Sequence, residues 1–312
     1  MKRIVVLGGS GFIGYSVVCG LSKSGVNVRC VDIAQPEADL RFDNIEYLIG
    51  DIRDKAFLSD VFDNTSMVMD FVSTSMPNTA EISLSKEIEN TLKYHDYILS
   101  EMYRCGVDTY VFPSSGGAIY GNVSGEFAYE SDELHPTTPY GAGKLMTENI
   151  LRYYSRKCNI SSYIFRIGNV YGSRKYRKKA QGVIDIFIQN VLNRQPVTIW
   201  GNAELAIRDY IHLDDVVDAI IGTVLNSNKK TDVSIYNIGT GIGTNLRQLI
   251  NIIQSQIGTE IEIIYKEHIA SGLNKIVLSP RKLYDDFGWK PKISLSQGIA
   301  MTIEEKRRMM GL

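Results

Sequence analysis

Residues 8–14 are Gly-Gly-Ser-Gly-Phe-Ile-Gly, and they follow directly on the short apolar run Arg3–Leu7. The apolar run predicts a buried strand, and the pattern after the glycines predicts a helix. In such a strand–turn–helix, Gly8 makes the tight turn, Gly11 lets backbone approach a pyrophosphate, and Gly14 permits close packing of the helix against the strand. The helix would direct its N-terminal N–H groups at the phosphates. This spacing predicts a dinucleotide-binding site.

Two aspartates follow later strands. Asp32 ends the second predicted strand, where a carboxylate accepts hydrogen bonds from the hydroxyls of an adenosine ribose. The same charge repels a 2′-phosphate, and residues 33–36 hold no arginine to bind one, so we expect NAD rather than NADP. Asp51 follows the third strand, where it either contacts the adenine amino group or caps the next helix, a role for which Asp54 is better placed.

The alternation of strands and helices through the first half of the chain predicts the fold. It is typical of an α/β protein with a doubly wound parallel sheet of the Rossmann type, covered by helices on both faces. The alternation of strands and helices ends after Asn169, which predicts a smaller, discontinuous C-terminal lobe for the substrate. We expect residues 1–169 to form an NAD-binding domain, to which segments around 205–240 return, and residues 170–312 to form mainly the substrate-binding lobe.

Composition excludes several classes of protein. The chain has 312 residues, 44% of them hydrophobic and 22% charged, and its formal net charge of -1 gives no reason to expect nucleic acid or an anionic membrane as partner. It has neither a secretory signal pattern nor an apolar run long enough to span a membrane, so we expect a cytoplasmic protein. The four cysteines have no Cys-x-x-Cys spacing and predict buried thiols, and the four histidines show no metal-ligand spacing, so no metal is expected.

Residues 139–144, Pro-Tyr-Gly-Ala-Gly-Lys, open a predicted helix. Side chains at positions i and i+4 share one helix face, so the Tyr140 phenol and the Lys144 ammonium would lie side by side. A nearby cation lowers the pKa of a tyrosine toward the range useful for general acid–base catalysis. Taken alone, the pair also fits a solvated helix surface.

Further motifs extend along nearly the whole chain. They are GGSGFIG at 8–14, GDIRD at 50–54, PSSGGAIYG at 113–121, PYGAGK at 139–144, FRIGNVYG at 165–172, RDYIHLDD at 208–215, YNIGTG at 236–241 and FGWKP at 287–291. In this order and spacing they resemble the extended short-chain dehydrogenase/reductase family, in particular the NAD-dependent nucleotide-sugar epimerases of the UDP-glucose 4-epimerase type.

This resemblance implies residue roles. Tyr140 is the catalytic base, and Lys144 orients the nicotinamide ribose and tunes the tyrosine. The implied cofactor-binding residues are Gly8, Gly11, Phe12, Ile13, Gly14, Asp32, Asp51, Ile52, Phe71, Val72, Ser73, Tyr140, Lys144 and Asn90, with Thr91 as the alternative to Asn90. The implied substrate-binding residues are Ser115, Asn169 for the diphosphate, Arg208 for a phosphate or the ribose, Val183, and Ile199 and Trp200 in the segment Val197–Trp200, whose main chain would contact the nucleobase.

One departure from the family concerns the third catalytic group. The family has Ser or Thr four residues before the tyrosine of its Tyr-Gly pair, and here that position is Gly116. Ser114 and Ser115 end the predicted strand, so in an extended backbone their side chains point to opposite faces. Ser115 is closer to the family position, and we expect it to be the catalytic serine beside Tyr140 and Lys144.

Two further departures concern the substrate. The dehydratases and decarboxylases of the family use acidic residues just before the tyrosine of that pair, whereas this chain has Gly117 and Ala118, which argues against 4,6-dehydration. The family arginine that binds the diphosphate has no clear match near residues 269–272. The possible substitutes are Lys266, His268, Lys275 and the basic residues of 174–179.

These patterns predict an isomerase, an NAD-dependent epimerase that oxidises a nucleotide-linked sugar transiently to a 4-keto sugar and then returns the hydride. Two alternatives stay open. One is an NAD(P)H-dependent 4-ketoreductase that makes a nucleotide-linked deoxysugar, and the other is a catalytically silent NAD-binding protein.

We also expect a homodimer. The predicted helices 83–105 and 140–158 carry apolar residues on several faces and would form a four-helix interface across a two-fold axis. The apolar residues assigned to it are Ile88, Leu92, Ile98, Leu99, Ile150 and Tyr154.

Overall fold

The computed structural model describes residues 3–34, 36, 41–73, 83–123, 125–172, 182–227, 232–267 and 275–312. Its strands are β1 Arg3–Leu7, β2 Val28–Asp32, β3 Ile45–Ile49, β4 Thr65–Asp70, β5 Thr109–Ser115, β6 Ser161–Ile167, β7 Asn169–Tyr171, β8 Val197–Trp200, β9 Ile207–His212, β10 Val233–Ile238, β11 Gly243–Thr244, β12 Ile263–Lys266 and β13 Lys275–Ile276. Its helices are α1 Phe12–Leu21, α2 Lys55–Phe62, α3 Leu84–Cys105, α4 Gly116–Ile119, α5 Pro139–Cys158, α6 Val183–Leu192, α7 Leu213–Asn226, α8 Leu246–Ile257, α9 Arg281–Phe287 and α10 Leu295–Met310.

The main sheet has seven strands in the order β10-β6-β5-β4-β1-β2-β3, and the pairings of β1 with β2 and β4, of β2 with β3 and of β4 with β5 are parallel. The chain builds outward from β1 to β3 and then returns to place β4 on the other side of β1. The order therefore reverses between β1 and β4, which confirms the predicted doubly wound sheet and makes the carboxyl ends of these strands the expected ligand site.

The chain divides into two compact units. Unit 1 comprises Met1–Ile119, Pro136–Arg166 and Val217–Tyr236, and unit 2 comprises Tyr120–His135, Ile167–Val216 and Asn237–Leu312. The expected continuous first domain thus loses Tyr120–His135 to unit 2. The reason is hydrogen bonding to residues distant in sequence, because the Ala128 N–H donates to the Val277 carbonyl (2.7 Å) and the Ala128 carbonyl accepts from the Ser279 N–H (2.9 Å).

Unit 1 has its own apolar core. Buried side chains of β1, β4 and β5 pack with those of α2, α3 and α5, among them Val5, Phe62, Ile98, Phe112 and Leu151. Helix α3 begins at the Ser83 N-cap and ends at Gly106, which has a left-handed backbone (φ 72°) that favours glycine.

Unit 2 is built on short strands. β9 pairs with β7, β11 and β13, and β8 pairs in parallel with β12. The helices α6, α8 and α10 supply the core of this unit, with Ile188, Leu249 and Ile299 fully buried.

Only some of the apolar side chains on the two helices that we assigned to a dimer interface are exposed. Ile98, Leu99, Ile150 and Tyr154 are buried within the chain, so assigning them to the interface is wrong. They face inward because they pack on the sheet and on each other between α3 and α5. Leu92 is exposed as expected, and so are three large side chains that we did not assign, Leu84, Tyr103 and Tyr153.

All four cysteines have free thiols, and Cys30 is buried. Across the described ranges, no three His, Cys, Asp or Glu side chains are grouped so that they could hold a metal ion. Among the helices of this part of the chain, none is both long and apolar enough to cross a membrane.

Candidate active site

The glycine-rich turn between β1 and α1 is fixed by steric fit. Gly8 has a left-handed backbone (φ 70°), and a Cβ there would lie 2.8 Å from the carbonyl carbon of Phe71 at the end of β4. A Cβ on Gly14 would overlap the carbonyl oxygen of Gly8, so α1 approaches the turn more closely than any other residue allows. A Cβ on Gly11 would meet only the Gly8 oxygen, at 3.1 Å, which leaves this side of the turn open to a ligand.

The N-terminus of α1 has the properties of an anion site. Its N-cap is Gly11, which offers no side-chain hydrogen bond, and its first turn carries no acidic side chain. The N-terminal N–H groups and positive dipole end of α1 therefore lie beside a turn that a phosphate can approach.

Asp32 lies next to this turn at the end of β2. Its Oδ2 accepts from the Ser10 N–H (2.9 Å), and its Oδ1 accepts from the Ala34 N–H (3.2 Å). Each carboxylate oxygen can accept a further hydrogen bond, which suits a pair of ribose hydroxyls. The neighbouring Ile33 is exposed, so this edge is open.

The Asp51 carboxylate is bound by a side chain two residues further along the chain. Its carboxylate accepts from the Arg53 guanidinium at 2.6–3.0 Å, and this contact lowers its pKa to about 2. Asp54, rather than Asp51, is the N-cap of α2, since it accepts from the N–H groups of Ala56 and Phe57. The cap hypothesis for Asp51 is therefore wrong, and its contact with adenine remains a prediction.

The other residues assigned to the cofactor lie around the same strand ends. Phe71 contacts the turn at Gly8, and the Val72 N–H donates to Asp70 Oδ1 (3.0 Å) while its side chain packs on the core. Ser73 is exposed. Half-buried side chains are those of Phe12, Ile13, Ile52 and Asn90, whereas Thr91 is buried.

The start of α5 places the catalytic candidates. Thr138 is the N-cap and accepts from the Gly141 N–H (3.1 Å), and Pro139 takes the first helical position, where its missing N–H costs nothing. Tyr140 therefore lies in the first turn and Lys144 one turn later. Tyr140 makes a side-chain hydrogen bond with Ser115 at the end of β5.

The two serines point in different directions. Ser114 is buried and donates to Glu148 Oε1 (2.8 Å), away from Tyr140, whereas Ser115 bonds to Tyr140. Glu148 is also ion-paired with Arg166 (2.8 Å), and both side chains are buried. This network, which the sequence did not reveal, fixes the end of β5 against α5.

Lys144 is half-buried beside aromatic rings. Its Nζ donates to the Pro113 carbonyl (2.9 Å), and it lies 4.6 Å from the centre of the Phe112 ring and 5.6 Å from that of Tyr140. Burial lowers the pKa of Lys144 to about 8, although three nearby carboxylates, Asp70, Glu87 and Glu148, act in the opposite direction.

The expected effect of Lys144 on Tyr140 is wrong for this structure. Burial raises the pKa of Tyr140 to about 12, the hydrogen bond with Ser115 lowers it, and the charge of Glu87 raises it further. Lys144, whose ammonium donates to the Pro113 carbonyl, does not offset this increase in the pKa of Tyr140. The phenol is therefore protonated at neutral pH.

Glu87 is a second acid that the sequence patterns did not single out. It is buried in the first turn of α3, and its carboxylate would lie 2.6 Å from a Cβ placed on Gly143. Thr91, one turn later on α3, would lie 3.1 Å from the same Cβ. Any larger residue at position 143 would force the Glu87 side chain to shift, so Gly143 of the Tyr-Gly-Ala-Gly-Lys motif has a packing reason.

Apart from Ser115, the residues assigned to the substrate belong to unit 2. Asn169 of β7 pairs with Tyr210 of β9, two residues beyond Arg208 on the same strand. Arg208 is half-buried, its guanidinium donates to the Ile207 carbonyl (2.9 Å), and burial lowers its pKa. These two substrate candidates therefore lie on adjacent strands.

The nucleobase candidates lie elsewhere in unit 2. On β8, the Ile199 side chain is buried while that of Trp200 is exposed, with Lys266 Nζ 5.0 Å from the centre of its ring. Val183 is half-buried and packs against the core of this unit. Lys275 is half-buried in β13, whereas His268, residues 174–179 and residues 269–272 lie outside the described residues.

Comparisons with known proteins agree with this geometry. The NAD dependent epimerase/dehydratase family matches residues 4–239. A putative UDP-glucose 4-epimerase of Methanocaldococcus jannaschii is 32% identical over 309 residues, 96% of this chain and 97% of the relative. A dTDP-4-dehydro-6-deoxyglucose reductase of Escherichia coli is 29% identical over 312 residues, 97% of either chain. The crystal structure of Thermus thermophilus UDP-glucose 4-epimerase in complex with NAD has a TM-score of 0.86 at 31% identity, and covers 98% of this chain and 99% of that one.

Proposed function

This chain belongs to the NAD dependent epimerase/dehydratase family, and we propose that it inverts C4 of a UDP-linked hexose. It is an NAD-dependent nucleotide-sugar epimerase of the extended short-chain dehydrogenase/reductase type. The observation that carries the proposal is the arrangement of the half-buried Ser115, Tyr140 and Lys144 in the same unit as the glycine-rich turn. The UDP-hexose is inferred from the relatives named as UDP-glucose 4-epimerases.

The residues of unit 1 fit NAD. Gly11 leaves space for a pyrophosphate at the start of α1, and Asp32 presents a carboxylate to ribose hydroxyls while disfavouring a 2′-phosphate. Lys144 would hold the nicotinamide ribose, and Phe71, Val72 and Ser73 would line the site. The chemistry that NAD supplies when bound is reversible hydride transfer at C4, with return to the opposite face of the 4-keto sugar.

The catalytic residues would move one proton. Tyr140 removes it from the C4 hydroxyl as the C4–H bond breaks, and gives it back to the same oxygen when the hydride returns. Because the pKa of Tyr140 is raised to about 12, its phenolate needs positive charge nearby, which an oxidised nicotinamide would provide. Ser115 would donate to the phenolate and pass the proton between the sugar oxygen and Tyr140.

The reaction can be tested without added cofactor. We expect the purified protein to convert UDP-glucose into a mixture with UDP-galactose, followed by NMR, and to release NAD rather than NADP when denatured. Retained NAD follows from the mechanism, since the hydride is returned in every cycle. Absence of interconversion with either UDP-sugar would contradict the proposal.

A second candidate is a 4-ketoreductase acting on a nucleotide-linked deoxysugar. Two observations favour it: the similarity to the Escherichia coli reductase and the protonated Tyr140, which suits a group that gives its proton to a carbonyl. This activity would consume NADH stoichiometrically with a dTDP-linked 4-keto-6-deoxyhexose. NADH oxidation without UDP-hexose interconversion would establish the reductase. If the protein shows neither activity, the remaining alternative is a catalytically silent NAD-binding protein.

We also propose a homodimer that works in the cytoplasm. Leu84, Leu92 and Tyr103 are exposed on α3 and Tyr153 is exposed on α5, and two such helix pairs would bury these side chains in a four-helix interface. The free thiols are compatible with a reducing compartment. Light scattering should give a dimer, and Leu92→Glu should shift it to monomer while Glu89→Gln, an exposed change on the same helix, should not.

A further inference from the structure

Ser10 connects the glycine-rich turn to the segment that follows β2. Its N–H donates to Asp32 Oδ2 (2.9 Å), and its hydroxyl donates to the Ala34 carbonyl (2.8 Å). Ser10 precedes α1 and Ala34 follows β2, so neither bond belongs to a regular helix or sheet. A single residue of the turn therefore holds both the acid and the main chain two residues beyond it.

The Asp32 carboxylate is fixed in one orientation by two main-chain donors. Oδ2 accepts from the Ser10 N–H, and Oδ1 accepts from the Ala34 N–H (3.2 Å). The Ser10 hydroxyl secures the second of these bonds, because it holds the residue whose N–H reaches Oδ1. Each carboxylate oxygen keeps a lone pair, and its fixed direction suits a ribose hydroxyl.

β2 is joined to the turn independently of this hydroxyl. The N–H groups of Gly8 and Gly9 both donate to the Val31 carbonyl, at 2.9 Å and 3.3 Å. A Cβ on Gly9 would overlap the Cys30 thiol, so the turn lies directly on the strand. Removing the Ser10 hydroxyl therefore leaves the turn and β2 in place and affects only the segment after the strand.

The segment after β2 depends on hydrogen bonds more than on burial. Ile33 is 76% exposed, and Ala34 is exposed as well. The Ala34 N–H and the Ser10 hydroxyl are donors of the kind that bind phosphate groups, and both are already committed, to Asp32 and to the Ala34 carbonyl. A 2′-phosphate at this edge would therefore meet a fixed negative charge and two occupied donors.

We propose that Ser10 is a specificity-determining residue whose hydroxyl keeps Asp32 in the orientation that favours NAD over NADP. The proposal rests on the proposed assignment of Asp32 to the adenosine ribose, and it does not depend on which nucleotide-linked sugar reacts. It gives the third residue of the glycine-rich turn a role in cofactor selection, in addition to the steric roles of Gly8 and Gly14.

The test is a competition between the two cofactors in the intact protein. Each protein is incubated with NAD and an excess of NADP until the bound cofactor has exchanged, and is then separated from free nucleotide and denatured. The ratio of released NAD to NADP is measured by chromatography and corrected for the ratio in solution. In Ser10→Ala we expect the preference for NAD to fall about three- to tenfold, the effect of one hydrogen bond.

Two matched variants accompany this measurement. Ser10→Thr keeps a hydroxyl at the same position and should retain the wild-type preference. Ser24→Ala removes a hydroxyl that donates to the Leu21 carbonyl (2.7 Å) beyond the end of α1, and it should retain the preference too. Should Ser10→Ala not fold by circular dichroism, Ser10→Gly removes the same hydroxyl.

A double-mutant cycle shows whether Ser10 acts through Asp32. In an Asp32→Ala background, Ser10→Ala should change the preference by less than about twofold, because the carboxylate that the hydroxyl orients is gone. An effect of the same size in both backgrounds would overturn the proposal. An unchanged preference in Ser10→Ala, or an equal loss in Ser10→Thr, would overturn it as well.

Failure of this inference is distinguishable from failure of the proposed function. If Asp32→Ala loses the preference for NAD and Ser10→Ala does not, only the role of Ser10 is rejected. If Asp32→Ala keeps the preference, the assignment of Asp32 to the ribose is wrong and the role of Ser10 is rejected with it. Preferences that change as expected in a protein that epimerises no UDP-hexose would reject the proposed reaction and retain this inference.

Discussion

Two regions of unit 1 form the candidate site, and different forces hold them. The turn between β1 and α1 is set by shape, because Gly8 and Gly14 allow backbone atoms to approach where any side chain would collide. The region around Tyr140 and Lys144 is set by charge, because buried acids on β4, α3 and α5 all act on the half-buried Lys144 ammonium. Shape in such a turn depends on residues close in sequence, whereas charge balance depends on residues brought together by the whole fold.

The charge-determined region should give the largest loss. We expect Tyr140→Phe to lower kcat by about 10²–10⁴-fold, the usual cost of losing a general acid–base group, with NADH affinity nearly unchanged. Tyr153→Phe alters an exposed tyrosine on the same helix and is the matched control. Turnover of the Tyr140 variant within a few-fold of wild type would show that another group moves the proton.

The shape-determined region should respond to a single methyl group. In Gly14→Ala the new Cβ would overlap the Gly8 oxygen, and overpacking of this kind costs about 1–3 kcal/mol. We expect lower thermal stability together with weaker NAD binding. Gly222→Ala is the control, because a Cβ there meets no atom within 4 Å in the interior of α7, and alanine should stabilise that helix by about 0.5–1 kcal/mol. Unchanged NAD affinity in Gly14→Ala would mean that the turn tolerates displacement.

The same contrast explains what the sequence could predict. The turn, Asp32 and the pairing of Tyr140 with Lys144 follow from spacing within a strand or one helix turn, and the structure places them as expected. The network of Ser114, Glu148 and Arg166 comes from β5, α5 and β6, so no local pattern indicates it.

The fold shows the same limit. The predicted strand Arg3–Leu7 and the predicted helices 83–105 and 140–158 agree with β1, α3 and α5, because regular elements have a strong hydrophobic periodicity. β7, β11 and β13 are only two or three residues long, and no sequence pattern predicts them, since their partners rather than their composition make them strands. The membership of Tyr120–His135 in unit 2 depends on hydrogen bonds to residues more than a hundred positions away, such as the Asn237 amide that donates to the Ala128 carbonyl.

Asp32 lies where both forces act, since it is held by the backbone of the turn and interacts through its charge. Asp32→Ala should weaken NAD binding by about 1–3 kcal/mol, the cost of losing charge-assisted hydrogen bonds, and should narrow the preference for NAD over NADP. Calorimetric titration with both cofactors measures the two effects. Equal affinity of the wild type for NAD and NADP would contradict the assignment of Asp32 to the ribose.

The two serines at the end of β5 give the finest comparison, because adjacent residues belong to different networks. Ser115 bonds to Tyr140, and losing a helper of this kind should lower kcat at least about tenfold in Ser115→Ala. Ser114 bonds to the buried Glu148, so Ser114→Ala should cost about 1 kcal/mol of stability and change kcat much less. Steady-state kinetics and thermal denaturation of both variants separate these effects. If Ser115→Ala keeps wild-type turnover, neither serine assists Tyr140, and another hydroxyl such as that of Thr138, or water, must transfer the proton.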